Sequence, residues 1–366
     1  MLKLFRRVAD GVNPDLELGR FLTERTSFPH RAPVAGALEY RSHTGASRTV
    51  GILHGFVPHR GDAWSYTLEA LDRYFAAVRT RQSGEQAAVP HQPVLTLAEG
   101  DVPSLASELI GPYLASARML GQRTAELHCA LASDPEDPRF APEPMTTAYQ
   151  HALAQSIQDL ATQAFRLLGQ CLPDLPAAVR EEAQQVLALE AAVLALGQAV
   201  AQRPLTALRI RIHGDYHLGQ VLDTGDGFII TDFEGEPARP LRERQHKHAP
   251  LKDVAGMLRS FHYAEYTGLF NQVNQGVSSP SEAHTAFEPW AQLWYVWVSV
   301  EFLQAYLSYA GAGSVLPPTR DDRQALLEAY LLEKTVYELR YELNNRPAWV
   351  RIPLQGMRHL WETAQG

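Results

Sequence analysis

The sequence predicts an α+β chain of two unequal parts: a small α/β lobe over residues 1–60 and a mostly helical lobe over residues 61–366. Three observations carry that prediction. Short strand-like runs cluster before residue 60, and long stretches with apolar residues at helical spacing dominate after it. One short β insertion interrupts the helices at 208–233, where Asp226-Gly227 separates two apolar runs as a hairpin turn does.

In chain order, Leu2 to Val8 reads as a short apolar-basic strand. Asn13-Pro14-Asp15 reads as a helix start, with Asn13 as N-cap and Pro14 in the first helical position, and the helix runs to about Thr23. Ala35 to Arg41 and Arg48 to Phe56 are predicted strands joined by a turn at His43-Thr44-Gly45. Phe56 to Gly61 is a link. Helices are then expected over 63–81, 104–131, 146–172 and 177–202, with loops over 84–100 and 133–144. A strand over 208–213 leads to the hairpin Val221–Asp223 and Gly227–Thr231. Four further helices are predicted, at about 252–268, 285–310, 321–345 and 353–364.

The whole chain of 366 residues is 45% hydrophobic and 20% charged, ordinary for a large core. Its formal net charge of -8 gives no general attraction for nucleic acid or an anionic membrane, so neither is an expected partner. A phosphate ligand must therefore be held by local basic groups and a metal. Cys129 and Cys171 sit in apolar helical patterns and read as buried structural thiols, which suits a cytoplasmic protein. No signal peptide or membrane span is apparent; Trp290 to Leu307 is apolar but carries Gln292, Glu301 and Gln304.

Chemistry concentrates in His213-Gly214-Asp215-Tyr216-His217-Leu218-Gly219-Gln220 and in Asp232-Phe233-Glu234. Asp215 follows a strand, Gln220 opens the hairpin five residues later, and Asp232 closes it. A hairpin returns its end near its beginning, so the three should converge. Two carboxylates and an amide oxygen are hard ligands suited to Mg²⁺. A base, an amide five residues on and a second Asp after a hairpin is the pattern of phosphoryl transfer. Either motif alone is common in ordinary turns; their joint occurrence carries the reading.

The run from His213 to Ser260, with Asp232-Phe233-Glu234-Gly235-Glu236-Pro237 and Pro250-Leu251-Lys252-Asp253, resembles the aminoglycoside-phosphotransferase and choline-kinase branch of protein-kinase-like folds. More narrowly it is similar to the bacterial maltokinases, as are Leu4-Phe5-Arg6-Arg7, Asn13-Pro14-Asp15-Leu16-Glu17 and Tyr337 to Glu342. The resemblance implies a bilobal kinase-like fold with an incomplete small β lobe, and ATP-dependent phosphorylation of maltose at its anomeric hydroxyl. It implies Asp215 as catalytic base, Gln220 and Asp232 as Mg²⁺ ligands, and Lys3 as the phosphate-pairing lysine with Glu17 as its ion-pair partner. Adenine is expected against Phe56 and Val57, where Pro58 cannot donate a hydrogen bond. Asp253 is implied as the anchor of the catalytic loop and His213 as a structural hydrogen-bonder; His217 is open between support and catalysis. Glu234, where most kinases have Gly, is expected near a second metal or a basic residue.

Lys334, Tyr337 and Tyr341 share one helical face at spacings of three and four, which suits a sugar platform as well as it suits core packing. Glu338 and Glu342, one step round, are expected to face solvent beside arginines. Kinase-like folds place a glycine-bearing phosphate loop before the lysine strand, and Lys3 leaves no room for it. The chain therefore reads as a fragment, or as the tail of a trehalose synthase fusion, with trehalose synthase a fused or associated partner. Two alternatives stay open: a catalytically silent kinase-like domain, and a small-molecule kinase for another acceptor.

Overall fold

The computed structural model describes residues 1–41, 43, 47–81, 87–274, 276, 286–312 and 315–364. It mixes α and β, mostly helix with small sheets. The first sheet is antiparallel: β1 (Leu2–Leu4) and β2 (Val34–Arg41) flank β3 (Ser47–His54), with Lys3 and Ala37 both opposite Ile52. Strand β1 ends at Leu4, shorter than the predicted run to Val8. Thr44 and Gly45 of the predicted turn lie outside the described residues. Helix α1 (Pro14–Glu24) begins as expected, with the Asn13 side chain accepting from the Asp15 N–H.

Beyond the link, β4 (Gly61–Asp62) pairs with the first strand of the hairpin, β7 (Val221–Asp223) with β8 (Phe228–Ile230); between them in sequence lie β5 (Glu143–Pro144) and β6 (Leu208–Arg209), which pair with each other. The Ile230 N–H donates to the His30 carbonyl at 2.9 Å, tying the hairpin to the segment after α1. The strand predicted over 208–213 is only two residues long, because the chain then turns into the loop carrying Asp215.

Helices make up the rest: α2 (Ala63–Thr80), α3 (Val94–Leu97), α4 (Ser104–Ile110), α5 (Tyr113–Leu131), α6 (Thr147–Cys171), α7 (Ala177–Ala188), α8 (Glu190–Ala199) and α9 (Leu241–Arg244). Four long C-terminal ones follow: α10 (Leu251–Asn274), α11 (Glu288–Ala312), α12 (Arg320–Asn345) and α13 (Arg351–Thr363). Two predicted helices are each divided. The 104–131 helix breaks at Gly111-Pro112, where Gly111 has φ 62 and Pro112 cannot continue the hydrogen-bond ladder. The 177–202 helix breaks at Leu189, whose φ and ψ of -89 and 1 leave the helical range. The predicted loop 84–100 contains the short helix α3.

The core lies between α5, α10, α11 and α12, where Phe261, Trp294, Phe302, Tyr306 and Tyr330 are almost wholly inaccessible. Aromatic side chains supply most of the buried area there. Helix α10 lies close under the 213–220 loop because Gly256 has no side chain; a Cβ there would fall 2.6 Å from the Tyr216 carbonyl oxygen. Cys129 and Cys171 are free and half-buried, less enclosed than predicted. No helix among the described residues is long and apolar enough to cross a membrane.

Candidate active site

The loop bearing Asp215 is pinned from below. The Asp253 carboxylate, on the first turn of α10 and buried, accepts the His213 N–H at 2.7 Å and the Gly214 N–H at 2.9 Å. His128 Nε2 lies 3.1 Å from the same carboxylate. Burial pushes the Asp253 carboxyl up, but the hydrogen bond with His128, neighbouring imidazoles and the Gly214 N–H outweigh it, so it lies below its ordinary range. Gly214, at φ 84, makes the turn that presents Asp215. His213 Nε2 meets the Thr231 carbonyl at 2.9 Å, linking the loop to the far end of the hairpin.

The hairpin brings Asp232 back to the small sheet, where Lys3 bonds to it. Lys3 Nζ also lies 2.8 Å from Asp15 and 2.6 Å from Glu234. Burial would lower the Lys3 pKa; the Asp15 and Asp232 carboxylates more than reverse that and hold its ammonium above the ordinary lysine range. Asp232 has φ 65, the one non-glycine residue in the left-handed region among those described.

Glu17 is not the partner of Lys3. It sits 2.7 Å from Arg211, and Asp15 takes the position instead. The reason is helical phase: two residues along α1 turn the side chain by about 200°, so only one of the two acids can face β1. Asp15 is wholly buried and also accepts the Phe233 N–H at 3.1 Å. Burial pushes its carboxyl up, while His54, 3.8 Å away, and the charge and hydrogen bond of Lys3 pull it down to about 2. Asp15 was readable only as an acid in the first turn, where Glu17 is another.

Asp15, Asp232 and Glu234 offer carboxylate oxygens within 4.8 Å of one another. Three carboxylates face one lysine, with Arg244 3.7 Å from Glu234, and all three are hard oxygen donors; the set fits a divalent cation. Gln220 ends the short turn Leu218–Gln220, and its carbonyl accepts the Thr231 N–H at 2.9 Å. Phe56 is 77% exposed on the link and Val57 half-buried, so neither is enclosed by the protein itself.

On the other side of Asp215 a cavity of about 760 Å³ opens, lined by Asp215, His217, Lys334, Tyr337, Tyr341 and Trp349 among others. That volume falls in the range of small-molecule sites, roughly 300–1,000 Å³. Lys334 Nζ is 3.6 Å from Asp215. The rings of Tyr337 and Tyr341 stack at 6.4 Å, half-buried and 43% exposed respectively, so they are not core residues. Burial raises the pKa of the Tyr337 hydroxyl, and the neighbouring Glu236 and Asp215 carboxylates add to the rise. Burial likewise lowers the His217 pKa, which leaves a neutral imidazole beside Asp215. Trp64 and Tyr263 also line the cavity, and no pattern in the sequence singled them out. Glu338 and Glu342 do not face solvent. Both are buried, with Glu338 2.8 Å from Arg259 and Glu342 2.6 Å from Arg346, because α12 is covered on that face by α10.

No family model matches the chain. It is 27% identical over 246 residues to a glucosamine kinase of Streptacidiphilus jiangxiensis, covering 66% of this chain and 48% of that protein. It is 29% identical over 238 residues to a glucosamine kinase of Mycolicibacterium smegmatis (strain ATCC 700084 / mc(2)155), covering 64% of this chain and 50% of that one. The chain thus spans about half the length of the curated relatives it matches. A solved glucosamine kinase superposes over 98% of this chain and 72% of its own, with a TM-score of 0.69 at 20% identity. Another, in complex with glucosamine, ADP and inorganic phosphate, gives the same score over 71% of its length. The chain shares their fold. All four are glucosamine kinases, which are sugar kinases, and none is a maltokinase.

Proposed function

We propose that the chain carries the phosphoryl-transfer centre of an ATP-dependent sugar kinase. The observation that carries the reading is the tie between the Asp215 loop and the far end of the hairpin, where His213 meets the Thr231 carbonyl next to Asp232, with Lys3 on Asp232 and an open cavity beside Asp215. Asp215 accepts the proton of the sugar hydroxyl as its oxygen attacks the terminal phosphate of ATP. Asp253 and His213 hold the loop that aims it. Lys334, 3.6 Å from Asp215, is placed to meet a phosphate oxygen as transfer proceeds. Lys3 pairs with the donor's phosphates, oriented by Asp15. Asp232, with Glu234 and the Gln220 amide, would hold Mg²⁺, which when bound offsets phosphate charge. Phe56 and Val57 are the contacts proposed for adenine.

For the acceptor we favour an amino sugar such as glucosamine, the substrate class in the relatives' names. Asp62 and Asp215 line the cavity and suit an ammonium group, whereas Glu338 and Glu342 on the same wall are taken by Arg259 and Arg346. Maltose, with its proposed trehalose synthase partner, is the second reading: the stacked Tyr337–Tyr341 pair offers a surface long enough for a second sugar ring. The test is phosphate transfer from ATP with Mg²⁺ to glucosamine, maltose and glucose, read by mass spectrometry. The expected product is a phosphorylated amino sugar, abolished in Asp215→Asn. Transfer to maltose in preference would move the assignment to the second reading, and no phosphosugar from any acceptor would refute both.

A further inference from the structure

A second cleft, of about 740 Å³, lies on the far side of Lys3 from the link. One wall is the chain leaving β1, with Phe5, Arg6 and Arg7; the other is the segment after Glu234, with Arg239, Leu241 and Arg244. Five cations line it against one carboxylate, Glu234, in a protein whose net charge is -8. Two of the five are neutralised locally, since Lys3 serves its three carboxylates and Arg239 pairs with Glu236 and Glu333. Arg244 spends its Nε and one Nη on the Arg239 and Pro237 carbonyls and reaches Glu234 only at 3.7 Å. Arg6 and Arg7 are exposed and pair with no carboxylate among the described residues.

The two walls are fixed to each other. Gln245 donates to the Val12 carbonyl at 2.9 Å, the Gly11 N–H donates to Ser47 at 2.9 Å, and the Phe5 N–H to Val50 at 3.0 Å. A chance cluster of arginines on a convex surface would be dispersed by repulsion and solvated. Here Arg6, Arg7 and Arg244 line one cleft together with Leu4, Phe5 and Leu241. Guanidinium groups that outnumber the carboxylates beside them match phosphate oxygens.

We propose that this cleft is an anion site for a small molecule bearing two or more phosphate charges, centred on Arg6, Arg7 and Arg244 beside the phosphate position at Lys3 and Asp232. An anion there bridges the residues after Lys3 to those after Glu234, and so couples occupancy of the cleft to the spacing of the reacting centre. The site does not depend on the sugar-kinase reading, and its ligand binds without a metal.

The experiment is calorimetric titration of the whole chain with inorganic pyrophosphate in EDTA, which removes metal-dependent binding at the carboxylates. Binding is expected, weakening steeply with salt. Arg6→Gln combined with Arg7→Gln should reduce the affinity at least tenfold, and so should Arg244→Gln, while Lys3→Met should change it less than about threefold. The exposed Arg6 and Arg7 make the first variant safe for folding, checked by an unchanged melting temperature. Displacement of pyrophosphate by ADP would identify a nucleotide tail as the source, and displacement by glucose 6-phosphate a sugar phosphate; either supports the site. Loss of binding in Lys3→Met with full binding in the Arg6/Arg7 variant would place the anion at the reacting centre and overturn the proposal. Absence of pyrophosphate binding to the unaltered chain would overturn it as well.

Discussion

Asp15→Asn is the sharpest probe of how the reacting centre is held. The substitution keeps the shape of the side chain and removes its charge. Asp15 is wholly buried, bonds to Lys3 at 2.8 Å and accepts the Phe233 N–H. Its carboxyl falls from the ordinary 3.8 to about 2. At about 1.4 kcal/mol per tenfold, that fall means the fold favours the ionised form by roughly 2 kcal/mol. A depressed carboxyl pKa stabilises the fold above 3.8 and loses that contribution as pH falls towards 2. Asp15→Asn should therefore cost about 2–3 kcal/mol in urea unfolding at pH 7, and the gap to the unaltered chain should narrow between pH 4 and pH 2. Lys3 supplies a second readout. Its ammonium is stabilised by Asp15, so Asp15→Asn should increase labelling of Lys3 by an amine-reactive reagent at pH 9. Glu17→Gln should leave that labelling unchanged, because Glu17 serves Arg211. If Glu17→Gln exposed Lys3 to labelling more than Asp15→Asn did, the ion-pair assignment would be refuted.

Three further outcomes follow from the same geometry. Asp215→Asn should lower turnover by about 10²–10⁴-fold with ATP affinity nearly unchanged, measured by steady-state kinetics and nucleotide titration; full turnover would remove Asp215 from the role of base. Asp253→Asn should cost roughly 2–4 kcal/mol in denaturant unfolding, since an amide cannot satisfy two N–H donors and His128 as the carboxylate does. Tyr341→Ala should raise the KM for the sugar and leave that for ATP alone, with a melting temperature within a few degrees of the parent because Tyr341 is 43% exposed; an equal rise in both KM values would separate the tyrosine from the acceptor site.

What the sequence disclosed depended on how local the cause was. The hairpin, the Asp215 loop and the Asn13 cap are set by residues within about ten positions, and each lies where the pattern predicts. The break at Gly111-Pro112 was equally local and was legible as a Gly-Pro punctuation, yet the long apolar periodicity on both sides overrode it. The break at Leu189 has no breaker residue behind it. Asp15 and Glu17 compete for one lysine, and only the phase of α1 against β1 decides between them. Glu338 and Glu342 are polar by composition but buried, because Arg259 and Arg346 meet them; the Arg259 contact spans 79 positions of chain, and no window of sequence shows it. The lining of the acceptor cavity, including Trp64, Tyr263 and Trp349, comes from segments that are neighbours only after folding.

The left-handed backbone at Asp232 bears on how this protein could be improved by selection. A residue with a Cβ at φ 65 is held there against its own preference, at a cost of roughly 1 kcal/mol relative to glycine. Asp232→Gly would also remove one of three carboxylates crowded around Lys3. A library screened for thermal tolerance alone would therefore be drawn towards glycine at this position and would discard the side chain that meets Lys3. Heat resistance and phosphoryl transfer pull on residue 232 in opposite directions, so variants of this chain should be sorted by turnover before they are sorted by melting temperature.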